Sequence, residues 1–321
     1  MSEVRYRDAG VDLDAARAHT ANIAALVHGG TAGFAGAIPL PVMREPMLVA
    51  CTDGVGTKVL LARELGRISG LGQDLVAMSV NDLICSGAQP LAFLDYLAVG
   101  KLDPDEAKEI VAGVAAACEA SGCLLLGGET AEMPGLYQPG HFDLAGFATG
   151  VVERSEMLGP HLVKEGDAIV GVESSGIHSN GFSLVRRLVD DGALPADADL
   201  LLEPTRLYPA DMAALRAAGV EVHAAAHITG GGLPENLPRI FPEGLCPTID
   251  IGSWPVNRAI QAIIDSGRVP DDDLWATFNM GLGLCLVLSQ AAAARAAELI
   301  DGAHLIGEVL SGESGLIIAG R

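Results

Sequence analysis

Residues 51–58, Cys-Thr-Asp-Gly-Val-Gly-Thr-Lys, combine a carboxylate, two glycines, a hydroxyl and an ammonium group. An apolar run precedes this octapeptide and a helical pattern at 59–65 follows it, so the sequence predicts a strand, a glycine turn and a helix. In such a turn the glycines let backbone N–H groups approach a ligand, the aspartate can hold a cation and the lysine can neutralise a phosphate. The spacing fits neither a Walker loop nor a GxGxxG turn, so a plain tight turn with a solvated lysine stays open beside a nucleotide-phosphate site. The residues assigned to this turn are Asp53, Gly54, Gly56, Thr57 and Lys58.

Two further acidic positions lie beside predicted elements of the same half. Asp82 interrupts a helical pattern over Leu75–Ile84, and Glu129 follows the buried-strand run Cys123–Leu126 in what we interpret as a second glycine turn, Gly127–Thr130. With Asp53 these carboxylates form a poor site for bare ATP and a good one for ATP with Mg²⁺, since the metal prefers oxygen ligands and cancels the repulsion. Taken singly, each carboxylate could equally be a helix N-cap or a solvated loop residue.

The second half of the chain contains two strand–loop–helix units with small polar residues in the loop. Ser174–Gly181 follows the strand pattern Ala168–Val172, and Thr229–Gly232 follows the strand pattern Val220–Ile228. Each loop directs N–H donors toward a helix start, which favours anion binding. Glycine loops of this kind also serve as packing devices, so that interpretation stays open for either loop.

Length and composition indicate two domains of the α/β class. The chain has 321 residues, of which 50% are hydrophobic but only 4% aromatic, so aliphatic side chains must fill the interior, as in sheets covered on both faces. The composition changes around 155–166 to Pro, His and charged residues, and we predict domains at 1–155 and 166–321. A helix is predicted from Leu13 to Val27, followed by a glycine segment, Gly29–Gly36, that acts as a lid or a linker.

Charge and cysteine content exclude several classes of protein. A net charge of −21 with no basic stripe argues against binding to nucleic acid or an anionic membrane. The six cysteines form no CxxC pair and mostly lie in apolar runs, so neither a disulfide nor a zinc site is expected. Without an N-terminal apolar segment or a long apolar run, the sequence predicts a reduced, soluble, cytoplasmic protein.

Six motifs, in this order, resemble those of the phosphoribosylformylglycinamidine cyclo-ligase (aminoimidazole ribonucleotide synthetase) family. They are Asp53–Lys58, Asp74–Asp82, Gly127–Gly135, Ser175–Gly181, His227–Gly232 and Thr277–Gly281. The resemblance runs from about Tyr6 to the C-terminus, and Gly-Gly-Glu-Thr-Ala-Glu-Met-Pro-Gly at 127–135 is its most specific part. The segment Gly29–Gly36 departs from the family in length and spacing.

The resemblance implies an α/β (α+β) fold with two domains. The N-terminal mixed sheet with helices would pair in a homodimer, and the C-terminal domain would be an α/β sandwich completing the substrate site. The implied reaction is ATP-driven ring closure of formylglycinamidine ribonucleotide to aminoimidazole ribonucleotide in purine biosynthesis, with ATP and Mg²⁺ as cofactors.

The same resemblance assigns residues to roles. Magnesium would be held by Asp53, Asp82 and Glu129. ATP would contact Asp53, Gly54, Gly56, Thr57, Lys58, Asp74, Asn81, Asp82, Gly128, Glu129 and Thr130. The substrate would contact His178, Ser179, Asn180, Gly230, Gly231 and Gly232, with Lys58, His178 and Asn180 catalytic. From spacing alone His178 would be a surface-loop histidine; the resemblance instead puts it at the mouth of the second domain.

Three alternatives stay open. Selenophosphate synthetase and thiamine-monophosphate kinase are ATP-using enzymes of the same superfamily, but the former usually has a reactive residue near its N-terminus, where this sequence has no cysteine before Cys51. A non-catalytic hydrogenase-maturation factor would need a C-terminal cysteine, whereas this sequence ends Gly320-Arg321.

Overall fold

The computed structural model describes residues 6–27 and 35–320, as two sheets covered by helices. In the N-terminal half the helices are α1 Leu13–Ile23, α2 Lys58–Glu64, α3 Leu71–Ile84 and α4 Pro104–Ala120, and the strands are β1 Pro46–Gly54, β2 Gln89–Val99, β3 Leu124–Glu132 and β4 Phe142–Glu153. In the C-terminal half the helices are α5 Phe182–Asp190, α6 Ala198–Leu201, α7 Pro209–Ala217, α8 Gly232–Asn236, α9 Arg258–Asp265, α10 Asp271–Thr277 and α11 Gln290–Leu299. Its strands are β5 Ala168–Glu173, β6 Ala224–His227, β7 Leu245–Asp250, β8 Leu282–Leu288, β9 Ala303–Ser311 and β10 Ile317–Ala319.

The N-terminal sheet has the order β1-β4-β2-β3 and is mixed, as the family resemblance implies. β4 pairs antiparallel with β1 and β2, while β2 and β3 pair in parallel through α4. α4 begins at a sequence well suited to a helix start, with Asp103 accepting from the N–H groups of Asp105 and Glu106 and Pro104 at the first position. α3 and α4 cover one face of the sheet with aliphatic side chains.

The C-terminal sheet has the order β10-β7-β9-β5-β8-β6 and is antiparallel except between β10 and β7. β8 is buried along its whole length and β5 almost so, which explains their continuous apolar sequences. The mixed α/β fold with two sheets is therefore confirmed. The first sheet ends at Glu153 and the second begins at Ala168; the division at 1–155 and 166–321 into separate domains stays a prediction.

Several predicted elements have different bounds. Gly127–Thr130 is not a turn, since it lies within β3 and pairs with β2. The strand predicted over Val220–Ile228 is only Ala224–His227, because Val220–His223 is irregular. The helix predicted after Gly232 ends at Asn236 and continues as a 3₁₀ turn. Most of the Gly29–Gly36 segment falls outside the described residues.

Within 6–27 and 35–320, no helix combines the length and the apolar character needed to cross a membrane.

Candidate functional site between the two halves

The turn after β1 has the tight backbone that its glycines predict. A Cβ at Gly54 would lie 2.8 Å from the carbonyl oxygen of Leu144, so any larger residue would push β1 away from β4. Gly56 has φ 65°, which glycine adopts without strain. Asp53 lies at the end of the strand, and its Oδ1 accepts from the N–H of Gly54 at 2.7 Å. The second oxygen of this half-buried carboxylate is left for a ligand.

Asp53 and Asp82 come together here with His227. Asp82 lies in the last turn of α3, and its Oδ1 is 2.8 Å from His227 Nδ1. Burial raises the pKa of Asp53, and the charge of Asp82 raises it further, while His227 opposes this. Two carboxylates that repel each other while half exposed are suited to a divalent cation, which needs only one or two protein carboxylates beside substrate phosphates.

Glu129 does not join this pair. Across the sheet, Asp53 of β1 pairs with Gly146 of β4, which pairs with Asp95 of β2, which pairs with Gly128 of β3. Gly128 is the residue before Glu129, so this row leads from Asp53 to the neighbour of Glu129. Three strand spacings separate the two ends of that row, about 14 Å. Over the described part of the chain no group of three or more His, Cys, Asp or Glu side chains could hold a metal ion. The three-residue magnesium set expected from the sequence is thus not gathered within this one chain.

Thr130 is also engaged elsewhere. Its hydroxyl lies 3.0 Å from His19 Nε2, and His19 on α1 is 3% exposed. Helix α1 is thereby fixed against β3, the strand that carries Glu129.

Lys58 is neither the solvated lysine of a plain tight turn nor a side chain with a donor left over for a phosphate. It is 1% exposed, and its Nζ donates to Asp74 Oδ1 at 2.8 Å and to the carbonyl oxygens of His178 at 2.9 Å and Glu203 at 3.1 Å. An ammonium group has three protons, so all three are used. Burial lowers the pKa of Lys58, and the pair with Asp74 opposes this. Lys58 therefore joins the two halves of the molecule.

Asp74 extends this junction. Its Oδ1 also accepts from the N–H of Thr205 at 2.8 Å and from the Thr205 hydroxyl at 2.7 Å. Thr205 Oγ1 in turn lies 3.1 Å from Ser179 Oγ. Asp74, predicted to contact ATP, and Ser179, predicted to contact substrate, are thus two ends of one hydrogen-bond network between the two halves of the chain.

His178 lies beneath its loop rather than at an open mouth. It is 1% exposed with φ 65°, a backbone conformation that is uncommon outside glycine. Its Nε2 accepts from the N–H of Ser175 at 3.3 Å, and its Nδ1 has no partner. Burial lowers the pKa of His178 well below its usual value, and His227, Lys58 and Arg206 lower it further. The ring is therefore neutral and supports the loop from inside.

Asn180 and the Gly230–Gly232 turn are brought together. A Cβ at Gly230 would lie 3.5 Å from Asn180 Oδ1. The turn is left-handed at Gly231, φ 90°, where the Glu235 carboxylate closes against it, since a Cβ there would lie 2.4 Å from Oε2. The amide of Asn180 and the N–H groups of this turn therefore border the same part of the site.

Asn81 belongs to the junction between the two halves of the chain. It is fully buried, donates to the carbonyl of Arg206 at 2.8 Å and accepts from the N–H of Tyr208 at 3.0 Å. A nucleotide contact from this amide would require these bonds to break.

Sequence reasoning missed four residues that build the site: His227, Thr205, Tyr208 and Asn279. The Asn279 amide accepts from Gly281 N–H at 2.9 Å and donates to the carbonyl of Gly176 at 2.9 Å, which fixes the start of the His178 loop. His227 stands in a quoted motif, so its type could have been noticed. Thr205 and Tyr208 lie in a segment without regular structure or motif, and only the tertiary contacts reveal them.

Comparison with known proteins gives a consistent result. The family models for AIR synthase related protein match along the chain, the N-terminal domain over residues 35–152 and the C-terminal domain over residues 164–319. A phosphoribosylformylglycinamidine cyclo-ligase from Synechococcus sp. (strain CC9605) is 48% identical, covering 97% of this chain and 96% of its own. One from Xanthomonas campestris pv. campestris (strain B100) is 46% identical over 96% and 97%.

Solved structures resemble the fold. E. coli HypE, a hydrogenase maturation protein, superimposes with a TM-score of 0.69 over 95% of this chain and 92% of its own, at 18% identity. Thiamine-monophosphate kinase from Stenotrophomonas maltophilia K279a gives 0.64 over 96% of both chains, at 22% identity. At these identities the likeness concerns the fold alone. This protein is therefore a member of the phosphoribosylformylglycinamidine cyclo-ligase family, because its identity to the two cyclo-ligases extends over nearly the whole chain and both family domains match it.

Proposed function

We propose that this protein closes the imidazole ring of formylglycinamidine ribonucleotide, giving aminoimidazole ribonucleotide with ATP converted to ADP and phosphate. The observation that carries the proposal is the identity of 48% to a relative named for this reaction, over 97% of the chain. The proposed reaction makes the protein an ATP-dependent ligase of purine biosynthesis.

The chemistry explains why ATP is needed. An amide oxygen is a poor leaving group, so transfer of the γ-phosphoryl group to it, with departure of ADP, makes the carbon electrophilic. The neighbouring nitrogen then attacks that carbon, the C–O bond breaks, phosphate leaves and one proton is lost from nitrogen. Such a reaction needs positioning, charge neutralisation and exclusion of water more than covalent help from the protein.

Asp53 and Asp82 fit the role of magnesium ligands. Both are partly exposed, and each keeps one oxygen free of protein hydrogen bonds. Bound Mg²⁺ would offset the negative charge of ATP phosphates in a chain of net charge −21. His227 holds Asp82 in position. At Gly56 a Cβ would meet nothing within 4 Å, so the turn is open to phosphate oxygens there. Gly54 and Thr57 remain candidates for ATP contact.

Lys58 fits a positioning role better than a phosphate contact. Its three donors hold the Asp74 carboxylate and the carbonyl oxygens of His178 and Glu203, so it supports the loop whose Asn180 reaches the substrate. His178 acts through the same loop, because its neutral ring lies under the turn at Ser175. Glu129, Gly128 and Thr130 remain candidates for ATP contact from β3.

The open face of the N-terminal sheet supports a homodimer. Large apolar side chains from all four strands are exposed there: Leu48 at 69%, Phe147 at 44%, Leu124 at 42% and Leu94 at 40%. A contiguous apolar sheet face of this kind marks a protein interface. A second copy of the chain would cover it.

One experiment tests the function. The protein is incubated with ATP, Mg²⁺ and formylglycinamidine ribonucleotide, and the aminoimidazole is measured by diazotisation while ADP is measured by a coupled assay. Aminoimidazole and ADP should form in equal amounts. Parallel reactions with thiamine monophosphate or selenide should consume no ATP above the rate without substrate, and substrate-dependent ATP consumption in either would contradict the proposal. The six cysteines are free thiols, which suits work in the reducing cytoplasm.

A further inference from the structure

A cleft at the C-terminal end of α2 is lined by none of the residues assigned above to ATP, magnesium or substrate. Its volume is about 340 Å³, within the range of roughly 300–1,000 Å³ that small-molecule sites occupy. It lies between the two halves of the molecule. The lining residues that matter are Arg63 and Glu64 of α2, Arg186 of α5, and Gly140 and His141 before β4.

Arg186 is the cation without a protein partner in this cleft. It is only partly exposed, its Nε is buried without a hydrogen-bond acceptor, and within the described part of the chain no carboxylate lies within ion-pair distance of it. A buried donor without an acceptor destabilises the protein, and more so when the group is charged. An anion in the cleft would remove that destabilisation.

The other side of the cleft supplies a second guanidinium group. Arg63 donates from Nη1 to Glu106 Oε2 at 2.7 Å. The other edge of the Arg63 guanidinium group faces Gly140, which has φ 85° and no side chain to cover it. A Cβ at Gly140 would lie 3.1 Å from Arg63 Nε. Glu64 is the carboxylate that lines the cleft, and it is exposed to solvent. Two guanidinium groups facing one space favour a phosphate.

The cleft is connected to the rest of the site. Arg186 lies one helical turn after Ser183, whose hydroxyl is 3.1 Å from that of Thr57 in the turn after β1. α5 itself begins directly after the loop that contains His178 and Asn180. A ligand held by Asn180 would therefore have its phosphate within reach of α5.

We propose that Arg186, with Arg63, forms the subsite for the 5′-phosphate of the ribonucleotide substrate. The Gly230–Gly232 turn is a weaker choice for this group, because the Glu235 carboxylate closes against Gly231 and α8 has only five residues. The phosphates of ATP belong to the turn at Asp53, where a metal can neutralise them. The identity of the anion rests on the proposed cyclo-ligase activity.

The chain offers a matched control on the same helix. Arg187 is 72% exposed and pairs with Asp191, the residue that follows α5, so Arg187→Ala removes the same charge from the next residue without altering the cleft. In the full-length protein, Arg186→Ala should raise the KM for formylglycinamidine ribonucleotide roughly 10- to 100-fold, the value of one or two charge-assisted hydrogen bonds. The KM for ATP should stay within about twofold of that of the unchanged protein, and Arg187→Ala should change neither KM by more than this.

Titration calorimetry with ribose 5-phosphate, without ATP or Mg²⁺, provides a readout independent of turnover. The unchanged protein and Arg187→Ala should bind ribose 5-phosphate, Arg186→Ala should bind it at least about tenfold more weakly, and ribose should not bind. Arg186→Lys keeps the charge and should give an intermediate affinity; it takes the place of Arg186→Ala if that variant does not fold. Equal affinity in the Arg186 and Arg187 variants, or a rise in the KM for ATP alone, would overturn the proposal. If no variant turned over, the kinetic arm would refute the cyclo-ligase activity while the titration still decided whether Arg186 binds a sugar phosphate.

Discussion

The Nζ of Lys58 lies 2.9 Å from the carbonyl oxygen of His178, a residue 120 positions later in the chain. This bond joins the start of α2 to a loop that has left-handed backbone at its tip. The buried ammonium group, from the N-terminal half of the chain, therefore stabilises the conformation of the loop that contains Asn180.

Removal of this ammonium group should cost stability first. Lys58→Met leaves the Asp74 carboxylate buried and unpaired, and we expect a loss of about 3–5 kcal/mol in the free energy of unfolding. The double variant Lys58→Met/Asp74→Asn has no buried charge and keeps the acceptor for Thr205, so it should recover most of that loss. Denaturant unfolding of both variants, beside the exposed-lysine control Lys108→Met, measures this.

The double variant also separates the two roles of Lys58. If Lys58 positions the His178 loop, ATP affinity measured by titration should stay near that of the unchanged protein while the KM for the ribonucleotide rises. A folded double variant that no longer binds ATP would instead make Lys58 a phosphate ligand.

Asp53→Asn and Asp82→Asn should each reduce turnover at least about 100-fold, because each removes one of two carboxylates available to magnesium. Turnover is measured against Mg²⁺ concentration, and the exposed Asp143→Asn on β4 is the control. Saturation of either variant at the usual Mg²⁺ concentration with near-normal turnover would refute the assignment.

His178 should make the protein sensitive to acid. Because its pKa is lowered by burial, its contribution to stability is complete above the unfolded pKa of about 6.5 and is lost as pH falls toward the folded value. Between pH 7.5 and 5.5 the melting temperature should therefore fall more in the unchanged protein than in His178→Gln. His161 is exposed, so His161→Gln should show the same fall in melting temperature as the unchanged protein. If His178→Gln also shows that fall, His178 is not held in a buried neutral state.

His178→Ala should also lower substrate-dependent turnover while ATP binding stays almost intact, since the ring supports the loop of the second domain. Loss of ATP binding with unchanged affinity for the ribonucleotide would contradict this division between the two halves.

Asp95 has the opposite pH dependence. Burial raises its pKa to about 6, above its ordinary 3.8, so its unfavourable contribution is absent below pH 3.8 and grows as pH rises to about 6. Asp95→Asn should raise stability at pH 8, by up to about 3 kcal/mol, and much less at pH 4.5. Calorimetric melting at both values tests this, and an equal change at both would show that ionisation of Asp95 is not the cause.

Phe147→Glu should dissociate the proposed homodimer, because it places a charge in the centre of the open sheet face. Light scattering at micromolar concentration should give a dimer for the unchanged protein and a monomer for the variant, and Asp143→Asn on the same face should remain dimeric. A monomeric unchanged protein would refute the homodimer.

The sequence by itself determined the local structure and the family. The Asp103 cap, the stripe on α4 and the alternation along β4 depend on neighbours within a few residues, and the motifs from Asp53 to Gly281 identify the family by type and order alone. What only the tertiary structure decided is the state of each polar group. Beside two glycines the sequence predicts a phosphate-binding or a solvated lysine at 58, yet Lys58 donates to a carbonyl 120 residues away, and His227 meets Asp82 across 145 residues. Burial, charge and hydrogen-bond capacity are set by such distant neighbours, which no local pattern contains.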